Sequence, residues 1–264
     1  EKIGDSGKAI EVYGSIAENS PLRGNADIHR ALNLDDVDRT DEAIAVLDAV
    51  SAAHPNDAEA IIALGNILRG RERFTEAADV YTRAIDRIGT PTARDWALFY
   101  FRGMCYERAK RWQLAELDLQ KALELNPEQP HVLNYLGYSW IEQHRRLDEA
   151  LAMIEKAVER RPNDGFIVDS LGWARYRLGE YEIAVKYLER AAELQPSDPT
   201  INEHLGDALW KVGRRIEARY QWSHALSMDP EERRKEILRT KLDFGLEAGE
   251  QAENEAKAPV PAGS

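Results

Sequence analysis

Cysteine is almost missing from this chain, and its scarcity limits the chemistry that the protein can carry. Cys105 is the single cysteine among 264 residues, which excludes an internal disulfide and any cysteine-rich zinc site. We expect Cys105 to be a small buried thiol on a helix. One cysteine fits the cytoplasm and the periplasm equally well.

Long apolar runs and an excess of positive charge are also missing. No run approaches the roughly 20 apolar residues of a membrane-spanning helix, so we expect no such segment. The formal net charge is −12, which argues against nucleic acid as the main partner because phosphates call for a basic face. Apolar residues still make up 43% of the chain, enough for an ordinary buried core.

Motifs of catalysis and metal binding are absent as well. The six histidines are scattered, and no pair shows the spacing with an intervening glutamate that a zinc hydrolase helix requires. No glycine-rich loop of the P-loop type precedes a helix. Ser223 and His224 are adjacent on a predicted helix and therefore diverge, which argues against a triad. The sequence predicts a protein that is not an enzyme, with no metal and no cofactor.

What the sequence does contain is a repeat of about 34 residues. The segments NYLGYSWIEQ, DSLGWARYRLG and EHLGDALWKVG align on glycines spaced 35 and 34 apart, and two earlier glycines keep the same phase: Gly65, Gly103, Gly137, Gly172 and Gly206. Ala31 takes the place of the glycine in the first unit, and a second small residue follows each unit's first by twelve or thirteen positions: Ala43, Ala77, Ala115, Ala150, Ala184 and Ala218. A proline closes most units: Pro55, Pro127, Pro162, Pro196 and Pro230.

This pattern predicts a stack of short helix pairs. Each unit holds two amphipathic stretches around a short polar turn such as RLGEY, and the proline ends the second helix. A pair this short cannot bury its apolar stripe alone, so neighbouring pairs must stack to form a continuous core. Small residues on both helices allow their backbones to approach closely.

These residues resemble the tetratricopeptide repeat, which implies an all-α, right-handed superhelical solenoid of antiparallel helix pairs. Residues 1–23 are similar to the second helix of a truncated repeat, so the chain is expected to be part of a longer protein. Six whole units follow, the second with a longer linker: 24–57, 58–95, 96–129, 130–164, 165–198 and 199–232. We expect a capping helix at 233–248, because apolar residues there can cover the last repeat, and a disordered tail at 249–264.

In this family the first helices line a concave groove, and that resemblance implies the partner-binding residues. Several of them are aromatic and stand among hydrogen-bonding groups, a composition typical of binding hot spots. The alternative is that the rings only pack against neighbouring first helices or under the cap. The implied groove residues are Asn66, Arg69, Tyr100, Met104, Asn134, Tyr138, Phe166, Asp169, Trp173, Tyr176, Arg177, Asp207 and Trp210.

We therefore expect a scaffold that binds an extended or helical segment of a protein partner in this groove. No lysine stands at the family's carboxylate-clamp positions, so a carboxyl-terminal peptide is disfavoured. Two alternatives stay open: an adaptor that docks a folded envelope protease or assembly factor on its rim, and a regulatory region of a larger enzyme. Oligomerisation is also open, including a homo-oligomer.

The last units carry a second, narrower resemblance. LNYLGYSW, DEALAMIEKAV and HLGDALWKVGRR are similar to the closing repeats of proteobacterial envelope lipoproteins that act as scaffolds or adaptors. The resemblance covers about 100 residues. It implies a bacterial protein and favours the periplasm or the outer membrane over the cytoplasm.

Overall fold

The computed structural model describes residues 5–54 and 58–257, and within these ranges every long element is an α-helix. The all-α prediction is confirmed. No helix in the described ranges is both long enough and apolar enough to cross a membrane. The chain divides into two compact units, Glu1–Pro127 and Glu128–Ser264.

The first unit holds one single helix and three antiparallel helix pairs. A short 3₁₀ helix, Ala93–Asp95, begins the third pair, and a Thr92–Asp95 capping box satisfies its first amides. Cys105 is fully buried, as expected, and burial raises its pKa to about 11. The helices are α1 (Ser6–Gly14), α2 (Arg23–Asp36), α3 (Thr40–Ala53), α4 (Ala58–Gly70), α5 (Phe74–Arg87), α6 (Trp96–Arg108) and α7 (Trp112–Leu125).

The second unit holds three repeat pairs and a closing helical hairpin. Its helices are α8 (Pro130–Glu142), α9 (Leu147–Arg160), α10 (Gly165–Arg177), α11 (Tyr181–Leu194), α12 (Pro199–Lys211), α13 (Arg215–Ser227), α14 (Glu232–Phe244) and α15 (Leu246–Lys257). Within this unit, α10 and α12 each pack on the second helix of their own pair and on that of the preceding pair, which is the nearest-neighbour stacking of a solenoid.

Local sequence signals set the helix boundaries. Asp164 caps α10 by accepting hydrogen bonds from the amides of Phe166 and Ile167, and Asp198 caps α12 in the same way. Pro199 supplies the first residue of α12, where its missing N–H costs nothing. The turn between α10 and α11 uses Gly179 at φ 82°, a left-handed conformation that favours glycine.

The phased small residues lie where the two helices of a pair touch. All six phased alanines are fully buried. A side chain at Gly172 would bring its Cβ within 2.6 Å of Leu188 Cγ on α11, and one at Gly137 would come within 2.8 Å of the Ala150 carbonyl oxygen. Close backbone approach therefore explains the glycine–alanine phase of the sequence.

The C-terminus differs from the expectation. The segment expected to form one capping helix at 233–248 is a hairpin, because Gly245 ends α14 and α15 begins at Leu246. Residues 249–257, expected to be disordered, belong to α15, in which Glu247 and Glu250 contact α12 and α10 and Glu253 contacts α14. The rest of the expected tail, 258–264, lies outside the described residues, as do residues 1–4 and Pro55.

Candidate partner-binding surface

The groove residues expected in the second unit lie on the three first helices α8, α10 and α12. We call the side of the unit formed by these helices its inner face. The hairpin of α14 and α15 follows the last repeat and turns back, so that its side chains contact α10 and α12. The inner face therefore has a covered part and an accessible part.

Four of the expected groove residues are buried, three of them against the hairpin and Asp169 against His204. Asp169, Tyr176, Asp207 and Trp210 are only 4–7% exposed. Trp210 donates its indole N–H to Glu247, at 3.2 Å, and Tyr176 donates its hydroxyl to Glu250, also at 3.2 Å. These side chains are engaged within the chain, so we leave them out of the partner contacts proposed below.

A buried set of charges fixes α14 against α12. Lys241 of α14 is 1% exposed, and its ammonium lies 2.6 Å from Glu203 and 2.7 Å from Asp207. Arg234 pairs with the second oxygen of Glu203, so two cations balance two carboxylates. Burial lowers the pKa of Lys241, but Asp207 and Glu203 outweigh it and raise that pKa, which keeps the ammonium charged. Trp222 donates to Asp207 at 2.8 Å.

His204 of α12 belongs to a second buried polar contact. Its Nδ1 lies 3.0 Å from Asp169, and its ring stacks on Trp173 with centroids 4.0 Å apart. Burial disfavours the protonated ring, yet the Asp169 carboxylate and its hydrogen bond raise the pKa of His204 overall. The contact joins α10 to α12 beneath Trp173.

The accessible part of the inner face centres on Trp173. Its ring is half-buried and lies between His204 and Tyr176, whose centroid is 4.7 Å away. The indole N–H donates to Glu142 at 2.8 Å, and Arg177 donates to the same carboxylate at 2.8 Å. Trp173 and Arg177 are thus held together across α8 and α10.

The other accessible side chains lie on the same two helices, α8 and α10. Phe166, at the start of α10, is 55% exposed. Tyr138 is half-buried, and its pKa is raised by burial and by the Glu142 and Asp169 carboxylates, so its hydroxyl stays protonated and can donate. Asn134 donates to Ser170 at 3.1 Å and joins α8 to α10. The structure brings Asn134, Tyr138, Trp173 and Arg177 together on α8 and α10, whereas Phe166 lines a cavity with Arg160 and Gln195 at the ends of α9 and α11. Tyr176, Asp207 and Trp210 contact the hairpin, and Asp169 is buried against His204.

The four expected residues of the first unit form a smaller group on α4 and α6. Arg69 donates to Asn66 at 2.8 Å, and its guanidinium lies 5.1 Å from the centre of the Phe101 ring. Tyr100 is half-buried, and burial raises its pKa, while Met104 on the same helix is also half-buried. Asn66 is the most accessible of the four.

The sequence analysis missed the residues that organise the inner face from outside the repeat positions. Glu142 anchors Trp173 and Arg177, and Lys241, Glu247 and Glu250 cover α12 and part of α10. One signal was present: Lys241 lies among the apolar residues Leu238 and Leu242, and a lysine at such a position is buried only when paired.

No group of three or more potential ligands that could hold a metal ion occurs within 5–54 and 58–257.

Comparisons with known proteins agree with this architecture. Models of the tetratricopeptide repeat match residues 28–92 and 96–129, and a TPR repeat model matches residues 172–213. These ranges together cover more than half of the chain.

Curated relatives contain the same repeat. The chain is 29% identical over 192 residues to TPR repeat-containing protein PA4667 of Pseudomonas aeruginosa, an alignment that covers 71% of this chain and 31% of that protein. It is 27% identical over 173 residues to human tetratricopeptide repeat protein 13, covering 63% of this chain and 19% of that protein. The chain thus spans less than a third of the length of these relatives.

Solved structures show the same fold. One is the APC/C hetero-tetramer Cut9-Hcn1, with a TM-score of 0.74 and 18% identity over 92% of this chain and 46% of that chain. Another is a tetratricopeptide repeat protein from Parabacteroides merdae, with a TM-score of 0.68 and 15% identity over 92% of this chain and 93% of that chain. The chain is a member of the tetratricopeptide repeat family.

Proposed function

We propose that this chain is a non-enzymatic scaffold that binds an extended or helical segment of a protein partner on the accessible inner face of its second unit. The contacts are made by Tyr138, Phe166, Trp173 and Arg177, with Asn134 beside them. Asn66, Arg69, Tyr100 and Met104 offer a separate, smaller surface in the first unit. The tetratricopeptide fold supports protein binding in general, and the arrangement around Trp173 supports this particular surface.

The observation that carries the proposal is the fixed position of Trp173. Stacking on Tyr176 and His204 and the hydrogen bond to Glu142 hold the ring before a partner arrives. A side chain that is already ordered loses little conformational freedom on binding, so more of its contact energy becomes affinity. Tryptophan, tyrosine and arginine are also the residue types enriched at binding hot spots.

The location of the protein is part of the proposal. Its closing repeats resemble envelope scaffolds, and one curated relative is a bacterial repeat protein. These two resemblances support our proposal that the chain belongs to the bacterial envelope, in the periplasm or at the outer membrane, rather than to the cytoplasm. Fractionation of the source organism, followed by immunodetection of the full-length protein, tests this placement, and recovery in the cytosol alone would reject it.

Partner capture by surface variants tests the binding surface. The immobilised chain is used to capture proteins from an extract of the source organism, and the identified partner is then titrated against purified variants. Trp173→Ala should weaken binding by about 2 kcal/mol or more, roughly thirtyfold, because it removes the central ring. Phe166→Ala, which removes an exposed side chain, should weaken binding less. Circular dichroism should show unchanged helix content in both.

A matched pair of substitutions separates this surface from the outer one. Ile216 and Tyr220 are 86% and 68% exposed and lie one turn apart on α13, a second helix, so they mark the surface on which a rim adaptor would dock. Ile216→Ala and Tyr220→Ala should leave partner affinity unchanged. If they weaken it while Trp173→Ala does not, the inner-face proposal is wrong and the rim adaptor is favoured.

A further inference from the structure

Helix α15 contacts α10 and α12 through carboxylates, apart from Leu246, which is fully buried in the core of the unit. Its sequence, LEAGEQAENEAK, has one large apolar residue, Leu246, at its start. Glu247, Glu250 and Glu253 recur every third residue, and side chains at this spacing are neighbours on a helix surface. Glu247 accepts a hydrogen bond from Trp210 of α12 and Glu250 accepts one from Tyr176 of α10, while Glu253 accepts one from Arg234 of the neighbouring helix α14.

The covered part of the inner face is complementary to this row of carboxylates. Trp210 offers an indole N–H, Tyr176 a hydroxyl and Lys211 an ammonium, which lies 3.6 Å from Glu250. Burial and the nearby Asp207 and Glu250 carboxylates raise the pKa of Tyr176, so its hydroxyl remains a donor at neutral pH. The indole N–H of Trp210, the hydroxyl of Tyr176 and the ammonium of Lys211 are therefore donors on α10 and α12 that face the carboxylates of α15.

The two helices of the closing hairpin are held in different ways. Lys241 anchors α14 through a fully buried ion pair with Glu203 and Asp207. The carboxylate of Glu250 on α15 is 45% exposed and that of Glu253 is 26% exposed, and ion pairs with such access to water contribute little. Gly245 separates the helices at φ 97° and ψ 177°, a conformation essentially restricted to glycine. The contacts of α15 with α10 and α12 are therefore polar and partly exposed to water, whereas α14 is held to α12 by a buried ion pair.

We propose that Tyr176, Trp210 and Lys211 form a recognition site for an acidic helical segment of a partner, and that α15 is the chain's own occupant of this site. The partner helix carries glutamates or aspartates every three residues, as α15 does, and replaces α15 when it binds. This inference rests on the proposed function, partner binding on the inner face. The inference adds a second binding site on the inner face. It also specifies that the segment bound there is an acidic helix.

A peptide with the sequence of α15 tests the site on the full chain. The labelled peptide LEAGEQAENEAK is titrated by fluorescence anisotropy against the wild type and against the triple variant Glu247→Ala/Glu250→Ala/Glu253→Ala. In the wild type the tethered α15 competes at a high effective concentration. The triple variant should bind the peptide at least tenfold more tightly, because its own helix has lost the three carboxylates. Adding Lys211→Ala to the triple variant should weaken peptide binding severalfold.

A matched peptide and a milder variant make the outcome decisive. The same peptide with glutamine in place of its three matching glutamates should bind at least tenfold more weakly than the acidic peptide. Equal binding of the two peptides, or no peptide binding by a triple variant that keeps its helix content up to residue 244, would overturn the inference. If the triple variant loses further helix, Glu250→Gln carries the test, and a peptide affinity no higher than that of the wild type rejects the site.

The two proposals fail in different ways. Phe166 lies outside this site, so Phe166→Ala in the triple variant should leave peptide affinity within twofold. If Phe166→Ala and Trp173→Ala abolish partner capture but the peptide never binds, the proposed function stands and the acidic-helix site is rejected. If the peptide binds but those two variants capture the partner normally, the site stands and the surface around Trp173 is rejected.

Discussion

Trp173 and Arg175 show, at the scale of single residues, how neighbours on one helix take different roles. Trp173 faces the inner side and is fixed by His204, Tyr176 and Glu142. Arg175 points to the other side of α10, where it pairs with Glu155 of α9 and, at 2.6 Å, with Glu180 before α11. It therefore links α10 to the preceding pair.

Two glycines on α4 provide a matched test of the close helix contact. Gly65→Ala should destabilise the first unit by roughly 1–3 kcal/mol, because its Cβ would lie 2.1 Å from the hydroxyl oxygen of Tyr81, a fully buried side chain. Gly70→Ala should cost nothing or stabilise, since no atom lies within 4 Å and alanine favours the helix. Urea unfolding followed by circular dichroism measures both. Equal stabilities of the two variants would show that Tyr81 moves aside freely.

The residue scale also shows what the sequence can predict and where it stops. Gly172 and Ala184 were predictable as packing residues because the same helix contact recurs in every repeat. The burial of Tyr176 and Trp210 was only one of two alternatives, since the hairpin that covers them lies outside the repeat pattern. Periodicity identifies the face on which a side chain lies, but not whether a later segment of the chain covers that face.

At the scale of elements, α14 is a cap that docks through charge as well as apolar contact. Ile237 and Leu238 are buried, as expected for a helix that covers the end of a solenoid. Lys241 lies on the same helix and meets Glu203 and Asp207 on α12. The pair fixes the position of α14 more narrowly than apolar packing would, because both carboxylates must reach one ammonium.

Replacing Lys241 by an uncharged residue should show how strongly the docking of α14 depends on this ion pair. Lys241→Met keeps much of the side-chain volume but leaves the Asp207 carboxylate buried without its cation, and breaking a buried pair in this way costs about 3–5 kcal/mol. We expect a large fall in the thermal stability of the second unit. Lys235→Met on the same helix is the control, since its partners Asp229 and Glu232 are largely exposed and the melting temperature should hardly change. Equal effects of the two substitutions would contradict the anchoring role.

The two closing helices differ in how well the sequence predicts them. The apolar spacing of α14 predicts a cap, whereas the acidic, alanine-rich α15 resembles a disordered tail by composition. Two features of the folded chain order α15: donors on α10 and α12 for its carboxylates, and Gly249, where a Cβ would lie 2.3 Å from Lys241 Cγ. The composition of a segment does not show whether helices distant in the sequence will supply hydrogen-bond donors for it.

At the scale of the whole molecule, each unit has an apolar core of its own. One cluster includes Leu47, Leu64 and Tyr81, and another includes Leu188, Leu209 and Trp222. In a repeat protein each pair contacts mainly its neighbours, so stability is approximately a sum of repeat and interface contributions. A substitution in one repeat should therefore destabilise the adjacent repeats, and its effect should decrease with distance along the chain. A single free energy of unfolding then describes the stability of such a chain poorly.

Hydrogen exchange on two of the variants tests this locality. Lys241→Met should accelerate amide exchange most in α12–α15, less in α10–α11 and least in α8–α9, because each pair is stabilised by the next one. Gly65→Ala should accelerate exchange in α3–α6 and leave α12–α15 at wild-type rates. Mass spectrometry of the exchanged chain, read at peptide level, distinguishes these patterns. A uniform acceleration from α2 to α15 in either variant would mean that the chain opens as one cooperative body, and a partner that binds the inner face would then stabilise every repeat equally.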